Sequence, residues 1–251
     1  MQLKQLCDFC DDYLKVADFD DYCPNGLQVE STQEVHHIVA GVSACLDLIE
    51  AAIEAKADTL LVHHGYFWKG EAQPLIGFKG KRIRALIKNN INLLAFHLPL
   101  DAHPQVGNNA QLARVMGWEV QDSFGSVGLH NIVFSGELKS VMSLDELSQS
   151  IADRLDTRPL AIAAGDRPIR SIAWCTGAAQ GYIDQAAERG IDAFISGEVS
   201  EQTFHYAKET GIHYIAAGHH ATERYGVQAL ASLIAEKFGV QQQFIDIPNP
   251  V

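Results

Sequence analysis

The sequence predicts an α/β protein made of two related halves. Apolar segments with strand character alternate with helical segments, and the order strand, helix, strand, helix, strand occurs twice. In this repeat, segment 191–198 corresponds to segment 57–64. Because alternating elements of this kind place helices on the faces of a mostly parallel or mixed sheet, we expect that architecture in both halves.

The first half begins with a helix that is predicted to end near Val16, before a turn signal at Pro24, Asn25 and Gly26. Strands follow where apolar and β-branched residues cluster, and helices lie between the later ones. The predicted elements are strands at 27–29, 35–42, 59–62 and 91–96 and helices at 44–55 and 81–89.

In the second half a helix around Leu112 stops at Gly117, and a capping box at Ser143 and Glu146 opens the next. The remaining predicted elements are strands at 132–134, 159–164, 170–175, 191–196, 212–217 and 244–247 and helices at 143–155, 180–188, 200–208 and 222–238. We divide the chain into a first half at 1–125, completed by the C-terminal segment, and a second half at 126–251, within one integrated unit.

Composition and charge exclude several classes of function. The net charge of -12 opposes broad binding to nucleic acid or to anionic membranes, because both would be repelled. No apolar run approaches the ~20 residues of a membrane span, and the N-terminus lacks the apolar core of a signal peptide. Five cysteines without disulfide spacing indicate reduced packing thiols, so we expect a cytoplasmic protein.

One segment departs from this acidity. Between Tyr66 and Asn90, six cationic side chains stand against the single acid Glu71. A solvated helix face is one interpretation. The other is a cationic rim that attracts an anionic substrate such as a phosphorylated small molecule.

Histidines and acids gather at the predicted strand ends. His63 and His64 end one strand, and both reach one site only if the strand frays into a loop there, which Gly65 permits. His97 and His219 end two others and are each followed four residues later by an acid, Asp101 or Glu223. Spacing of four places both side chains of a pair on one helical face.

These six residues form a set of candidate metal ligands, and the alternative is a set of unrelated core and surface histidines. Four imidazoles and two carboxylates are too many for one tetrahedral zinc but suit two divalent metals that share a carboxylate bridge. A set without cysteine favours zinc, manganese, iron or nickel.

Several longer motifs resemble one known family across essentially the whole chain. They are PNGLQV at 24–29, HHGYFWKG at 63–70, HLPLDAHP at 97–104, SGEVSEQ at 196–202, GHHATERYG at 218–226 and FIDIPNP at 244–250. The family is the NIF-three-like dinuclear-metal proteins, also called GTP cyclohydrolase 1 type 2 homologues, and the match is closest to the short YbgI-type members.

The resemblance implies a three-layer α/β sandwich of two related halves with two divalent metal ions per chain. It implies the metal ligands His63, His64, Asp101, His219 and Glu223, with His97 either a ligand or a neighbour that orients one. It also implies self-association into a ring-shaped homohexamer. The family name suggests opening of the guanine ring of GTP.

The leading hypothesis is a metal-dependent hydrolase of a small molecule, such as a nucleotide or a pterin-like ring, with His97 and Glu223 as catalytic residues. Further candidates for proton transfer or substrate contact are His205, Glu198 and Tyr66. Trp68 and Phe67 either stack on a flat ring or pack in the core. The alternative is a non-catalytic metal-binding scaffold that stores, delivers or senses ions.

Overall fold

The computed structural model describes residues 1–251, and the α/β class is confirmed. The strands are β1 (Gly26–Val29), β2 (His37–Ser43), β3 (Thr59–His64), β4 (Asn92–Ala95), β5 (Asp122–Val127), β6 (His130–Met142), β7 (Leu160–Ile162), β8 (Ile169–Cys175), β9 (Ala193–Ser196), β10 (His213–Ala216) and β11 (Gln241–Phe244). The helices are α1 (Leu3–Leu14), α2 (Leu46–Glu54), α3 (Gly77–Lys88), α4 (Leu98–Ala102), α5 (Asn108–Met116), α6 (Leu144–Leu155), α7 (Ile183–Glu188), α8 (Glu201–Thr210) and α9 (His219–Phe238).

The chain forms two compact units. The first comprises Met1–Gly107 and Gly226–Pro248, and the second comprises Asn108–Tyr225 and Asn249–Val251. The sequence placed the division after residue 125. Here α5 and β5 belong to the second unit, because β5 pairs with β6 and the apolar side of α5 lies in the same core cluster as residues of β6 and β8.

The first unit is a sheet with helices on both faces. Its strand order is β1-β4-β3-β2-β11, with β1 antiparallel and the other pairs parallel. Neighbouring strand residues alternate between two cores, so Leu61 packs with α1 and α9, and Leu60 packs with α2 and α3. Burying each such leucine stabilises the fold by roughly 1.5–3 kcal/mol.

The second unit repeats the central part of this sheet. Its order is β5-β6-β8-β9-β10-β7, in which β8, β9 and β10 are parallel and β7 is antiparallel to β10. Trp174 and Ile195 pack with α5 and α6 on one face. The three parallel strands and their antiparallel neighbour therefore have the same order as β2, β3, β4 and β1, which is the repeat seen in the sequence.

The repeat extends to a shared aspartate. Asp58, just before β3, accepts hydrogen bonds at Oδ2 from two consecutive backbone N–H groups, one just before and one at the start of β2. Asp192, in the same position before β9, does so for two consecutive N–H groups near the start of β8. Each aspartate thus ties two adjacent parallel strands together at their N-terminal ends.

Three strands differ from the prediction. β5 was missed. β6 is 13 residues long, because it continues past the predicted 132–134 into a part that is largely exposed and mixes polar with apolar residues. β11 lies at Gln241–Phe244, whereas the apolar residues had predicted 244–247. This edge strand consists largely of exposed glutamines that pair with β2 through the backbone, so it carries no apolar signal. No helix has both the length and the apolar character needed to cross a bilayer.

Candidate metal centre

The two adjacent histidines lie at the carboxyl end of β3. The expectation that the strand frays there was wrong, because pairing with β2 continues to His64, which lies opposite Ser43. Pairing with β4 ends at Val62. Both histidines therefore lie beyond the end of one neighbouring strand, and their ring centroids are 4.5 Å apart.

His63 is fully buried and has a defined tautomer. Its Nδ1 is 2.8 Å from the carbonyl oxygen of Phe96, and a carbonyl can only accept, so Nδ1 carries the proton. Its other nitrogen, Nε2, lies 3.4 Å from Oδ1 of Asp101. Asp101 is itself only 4% exposed, so this imidazole and this carboxylate form a buried pair.

A short helix brings Asp101 to His63. α4 starts just after His97, and the backbone N–H of Asp101 donates to the carbonyl oxygen of His97 at 3.0 Å. Pro99 occupies the first turn, where its missing N–H is tolerated. The spacing of four from His97 to Asp101 therefore corresponds to one helical turn.

Three imidazoles cluster in this unit. Nδ1 of His64 is 3.1 Å from the hydroxyl oxygen of Ser43. The ring of His97 is 5.2 Å from that of His63 and 5.8 Å from that of His64. One nitrogen of each histidine lies within 4.8 Å of the others, a spacing that could hold a metal ion.

His97 is held by a carboxylate that sequence reasoning missed. Its Nδ1 is 2.7 Å from Oδ1 of Asp21. Burial raises the pKa of Asp21, but hydrogen bonds from His97, Asn25 and the backbone of Leu98, with the charge of His97, outweigh burial and bring the pKa below its usual value. In the sequence Asp21 is one of several acids before the turn at Pro24 and cannot be told from its acidic neighbours without a structure.

The second unit has its own pair. His219 begins α9 and Glu223 lies one turn later, with Nε2 and Oε2 3.1 Å apart. Nδ1 of His219 is 2.7 Å from Oε1 of Glu198, which follows β9 in the position that His64 occupies after Val62. Burial lowers the pKa of His219, but hydrogen bonds and charges from Glu223 and Glu198 outweigh it and raise the pKa to about 9.

A glycine makes room for this pair. A Cβ on Gly177 would lie 2.1 Å from Oε1 of Glu223 and 3.3 Å from Nε2 of His219. Gly177 also has a φ of +67°, in the left-handed region. The backbone amide of Gly177 donates to the hydroxyl oxygen of Thr222, one residue before Glu223. Any larger residue would therefore displace the carboxylate.

The other candidates have different positions. The hydroxyl of Tyr66 is buried and donates to the carbonyl oxygen of Ala44 at 2.6 Å, and burial raises its pKa, so it is a structural group. The ring of Trp68 lies 5.0 Å from that of His97 and 5.9 Å from that of His64. Phe67 packs under the ammonium of Lys79, and His205 is exposed on α8.

One cation of the segment between Tyr66 and Asn90 is buried, so it does not belong to a cationic surface. Lys79 is only 6% exposed, and its Nζ is 3.1 Å from Oε2 of Glu71. That oxygen also accepts from the backbone amides of Phe67 and Trp68, so the pair fixes the Trp68 loop. The exposed cations that remain are Lys69, Lys81, Arg84 and Lys88.

The residues present fit divalent metal ions. Imidazole and carboxylate donors suit zinc, manganese, iron and nickel, and histidine ligands usually donate their second nitrogen to an oxygen. His63, His97 and His219 do this with Phe96, Asp21 and Glu198. Cys23 lies within 4.8 Å of donor atoms of Asp21 and His97, but burial and the charges of Asp21 and Asp101 raise its pKa to about 12.

Fold and site together define an α/β protein of two related units whose strand ends carry histidine and carboxylate groups that could hold metal ions. The chain belongs to the Duf34/NIF3 (NGG1p interacting factor 3) family, whose model matches residues 1–250. The resemblance seen in the motifs is therefore confirmed.

Relatives of similar length support this assignment. A Pseudomonas aeruginosa protein named GTP cyclohydrolase 1 type 2 homolog is 54% identical over 248 residues, which are 99% of this chain and 98% of the relative. A Vibrio cholerae protein of the same name is 54% identical over 92% of each chain. The solved structure of protein ybgI, described as of unknown function, is 46% identical with a TM-score of 0.96 over all of both chains. A structure from Thermus thermophilus is 34% identical with a TM-score of 0.87, also over all of both chains.

Proposed function

We propose that this protein is a metal-dependent hydrolase of a small molecule that works with two divalent metal ions per chain. The observation that carries the proposal is the buried pair of His63 and Asp101, in which Nδ1 of the imidazole donates to a carbonyl oxygen and Nε2 lies 3.4 Å from a carboxylate oxygen. A buried carboxylate is costly without a cation, and the ring of His64 lies 4.5 Å from that of His63 as a further donor.

In this proposal five residues bind the metal ions: His63, His64, Asp101, His219 and Glu223. Support comes from the fixed tautomer of His63, from the carboxylates around His219, and from the space that Gly177 leaves at Glu223. Glu223 would hold metal through a carboxylate that is buried and lies one turn into α9. The identity of the metals is left open among zinc, manganese, iron and nickel.

The ions supply the electrophilic chemistry, since a pair of divalent metals acidifies bound water and polarises the bond under attack. His97 carries the proton. Its Nδ1 is hydrogen-bonded to Asp21, so Nε2 is the nitrogen that accepts a proton from the attacking water and gives it to the leaving group. The new bond joins the water oxygen to the attacked centre, and the bond to the leaving group breaks.

The substrate in this proposal is a nucleotide or a molecule with a pterin-like ring. The name of the relatives, GTP cyclohydrolase 1 type 2 homolog, supports a ring-opening hydrolysis. Trp68 supports a planar substrate, because its half-buried ring stands beside His64 and His97. The exposed cations Lys69 and Lys81 support an anionic one.

Metal content tests the ligand assignment. We expect two ions per wild-type chain by mass spectrometry after loading with each divalent metal, and fewer in His64→Ala. His36→Ala is the matched control, because His36 also belongs to a histidine pair but its side chain is 70% exposed. Equal metal content in all three proteins would reject the ligand assignment.

Turnover tests the enzyme assignment. Metal-loaded protein is incubated with nucleotides, cyclic amides and phosphoesters, and product formation is compared with that of His64→Ala. We expect activity that is lost in this variant and kept in His36→Ala. If wild type never exceeds His64→Ala while its metal exchanges quickly, the protein is instead a scaffold that stores, delivers or senses ions.

Location and assembly complete the proposal. We infer a cytoplasmic protein, in keeping with five free cysteines. We also infer a ring-shaped homohexamer. Support for self-association comes from Leu75, Ile76 and Phe78, which are 46%, 73% and 72% exposed at and before the start of α3.

A further inference from the structure

Asp21 is a buried carboxylate in a loop, and its side chain is only 3% exposed. Its Oδ1 accepts from Nδ1 of His97 at 2.7 Å and from the backbone amide of Tyr22 at 2.6 Å. Its Oδ2 accepts from the side-chain amide of Asn25 at 2.8 Å and from the backbone amide of Leu98 at 3.0 Å. All four partners are donors, so only a group that accepts on both atoms satisfies them.

Asn25 also contacts His97 directly. Its Oδ1 accepts from the backbone amide of His97 at 2.6 Å. The loop that contains Asp21 and Asn25 therefore fixes both the backbone and the ring of a histidine more than 70 residues further along the chain.

We propose that Asp21 is the positioning residue for His97: its carboxylate keeps the proton on Nδ1 and the lone pair on Nε2. This inference rests on the proposed function, in which His97 moves the proton. Asp21 is not one of the five proposed metal ligands, and in this inference its effect reaches the reaction only through the tautomer and orientation of the imidazole.

The hydrogen-bond pattern predicts what an isosteric change does. In Asp21→Asn the new NH2 group must replace one oxygen. In the position of Oδ2 it would face two fixed donors. One is the backbone amide of Leu98, and the other is the side-chain amide of Asn25, which cannot flip because its oxygen accepts from the backbone amide of His97. On the Oδ1 side it meets one fixed donor, the backbone of Tyr22, and His97, which can change tautomer. The NH2 group therefore turns to His97 and moves the proton to Nε2.

The experiment compares wild type, Asp21→Asn and Asp20→Asn. The control has the same change of charge one residue away, at an exposed position. Histidine labelled with 15N reports the tautomer of His97 by NMR in the metal-free and zinc-loaded chains, with His97→Ala to assign the signal. We expect the Nδ1–H tautomer in wild type and in the control, and Nε2–H in Asp21→Asn.

Metal content and turnover are measured on the same samples. We expect Asp21→Asn to keep its metal ions and its KM, and kcat to fall by about 10²- to 10⁴-fold, as for loss of general acid–base catalysis. Asp20→Asn should match wild type in every measurement.

The outcomes separate the two proposals. An Nε2–H tautomer of His97 in wild type overturns the inference. A tautomer that is unchanged between wild type and Asp21→Asn also overturns it. If wild type binds no metal or turns nothing over, the proposed function fails, yet the tautomer still decides whether Asp21 positions His97. Because wild type alone gives a decisive reading, the test does not depend on Asp21→Asn folding well.

Discussion

Gly177 is a residue of the candidate site that has no room for a side chain. Its missing Cβ leaves room for the carboxylate of Glu223, only 2.1 Å from where a Cβ would lie, and its φ is +67°. Both facts disfavour a side chain, but only the first concerns the site. The two effects can be separated with another glycine of the same backbone conformation.

Gly190 provides this separation, because its φ is +72° and a Cβ there would meet nothing within 4 Å. We expect Gly190→Ala to lower the free energy of unfolding by about 1–2 kcal/mol, the cost of a left-handed residue. Gly177→Ala should lower the free energy of unfolding by the same amount and by about 1–3 kcal/mol more, because the added methyl group overpacks the site. It should also bind divalent metal more weakly in calorimetry. Equal unfolding midpoints in urea and equal metal affinities would contradict this interpretation of Gly177.

Residues of the site differ in how far the sequence could predict them. His63, His64 and Asp101 follow from their position at strand ends and from spacing along a helix. Asp21 does not, because it acts across the fold on His97 and stands among other acids in the sequence. Gly177 does not either, since its role depends on a side chain more than 40 positions away. Local patterns predict ligands, whereas the groups that hold ligands in place are set by tertiary contacts.

At the scale of elements, alternation was enough to predict the parallel strands. β3, β9 and β10 are buried apolar runs, and their ends were predicted within a few residues. β5 was missed and β11 displaced, because both strands are short, consist mostly of polar residues and are held by backbone pairing, so they have little apolar pattern. The capping box predicted at Ser143 and Glu146 is present.

Asp192, which links β8 and β9, should make the stability of the fold depend on pH. Burial raises the pKa of Asp192, but hydrogen bonds from Ser171 and Arg170 and the charge of Arg167 outweigh it and lower the pKa. A lowered folded pKa stabilises the fold above the unfolded value of about 3.9, and the gain is lost as pH falls through the folded pKa. We expect wild type to exceed Asp192→Asn in free energy of unfolding at pH 7, with the gap closing below pH ~4.

Urea unfolding from pH 7 to pH 3 measures that gap. Asp166→Asn is a suitable control, because Asp166 is an exposed acid in the same unit. A gap between wild type and Asp192→Asn that stays constant across this range would show that the carboxylate is not the source of the stability.

At the scale of the whole molecule, the exposed apolar residues before and in α3 predict self-association. Replacing Phe78 with glutamate puts a charge on a side chain that is 72% exposed, so the free chain should fold unchanged. In sedimentation velocity we expect wild type at the mass of six chains and Phe78→Glu at a lower mass. Leu129→Glu is the control, since Leu129 is 82% exposed at an isolated turn. If both variants sediment as wild type, this surface does not mediate assembly.

The division of the chain also governs the order in which its parts can form. The second unit is nearly contiguous, from Asn108 to Tyr225, whereas the first needs Gly226–Pro248 to supply β11 and most of α9. During synthesis on the ribosome, residues 1–107 therefore cannot complete their sheet until β11 has been made, whereas the second unit can already form its own core. Newly made chains should pass through a stage in which residues 108–225 resist protease and residues 1–107 do not. High contact order should make closure of the first sheet the slow step.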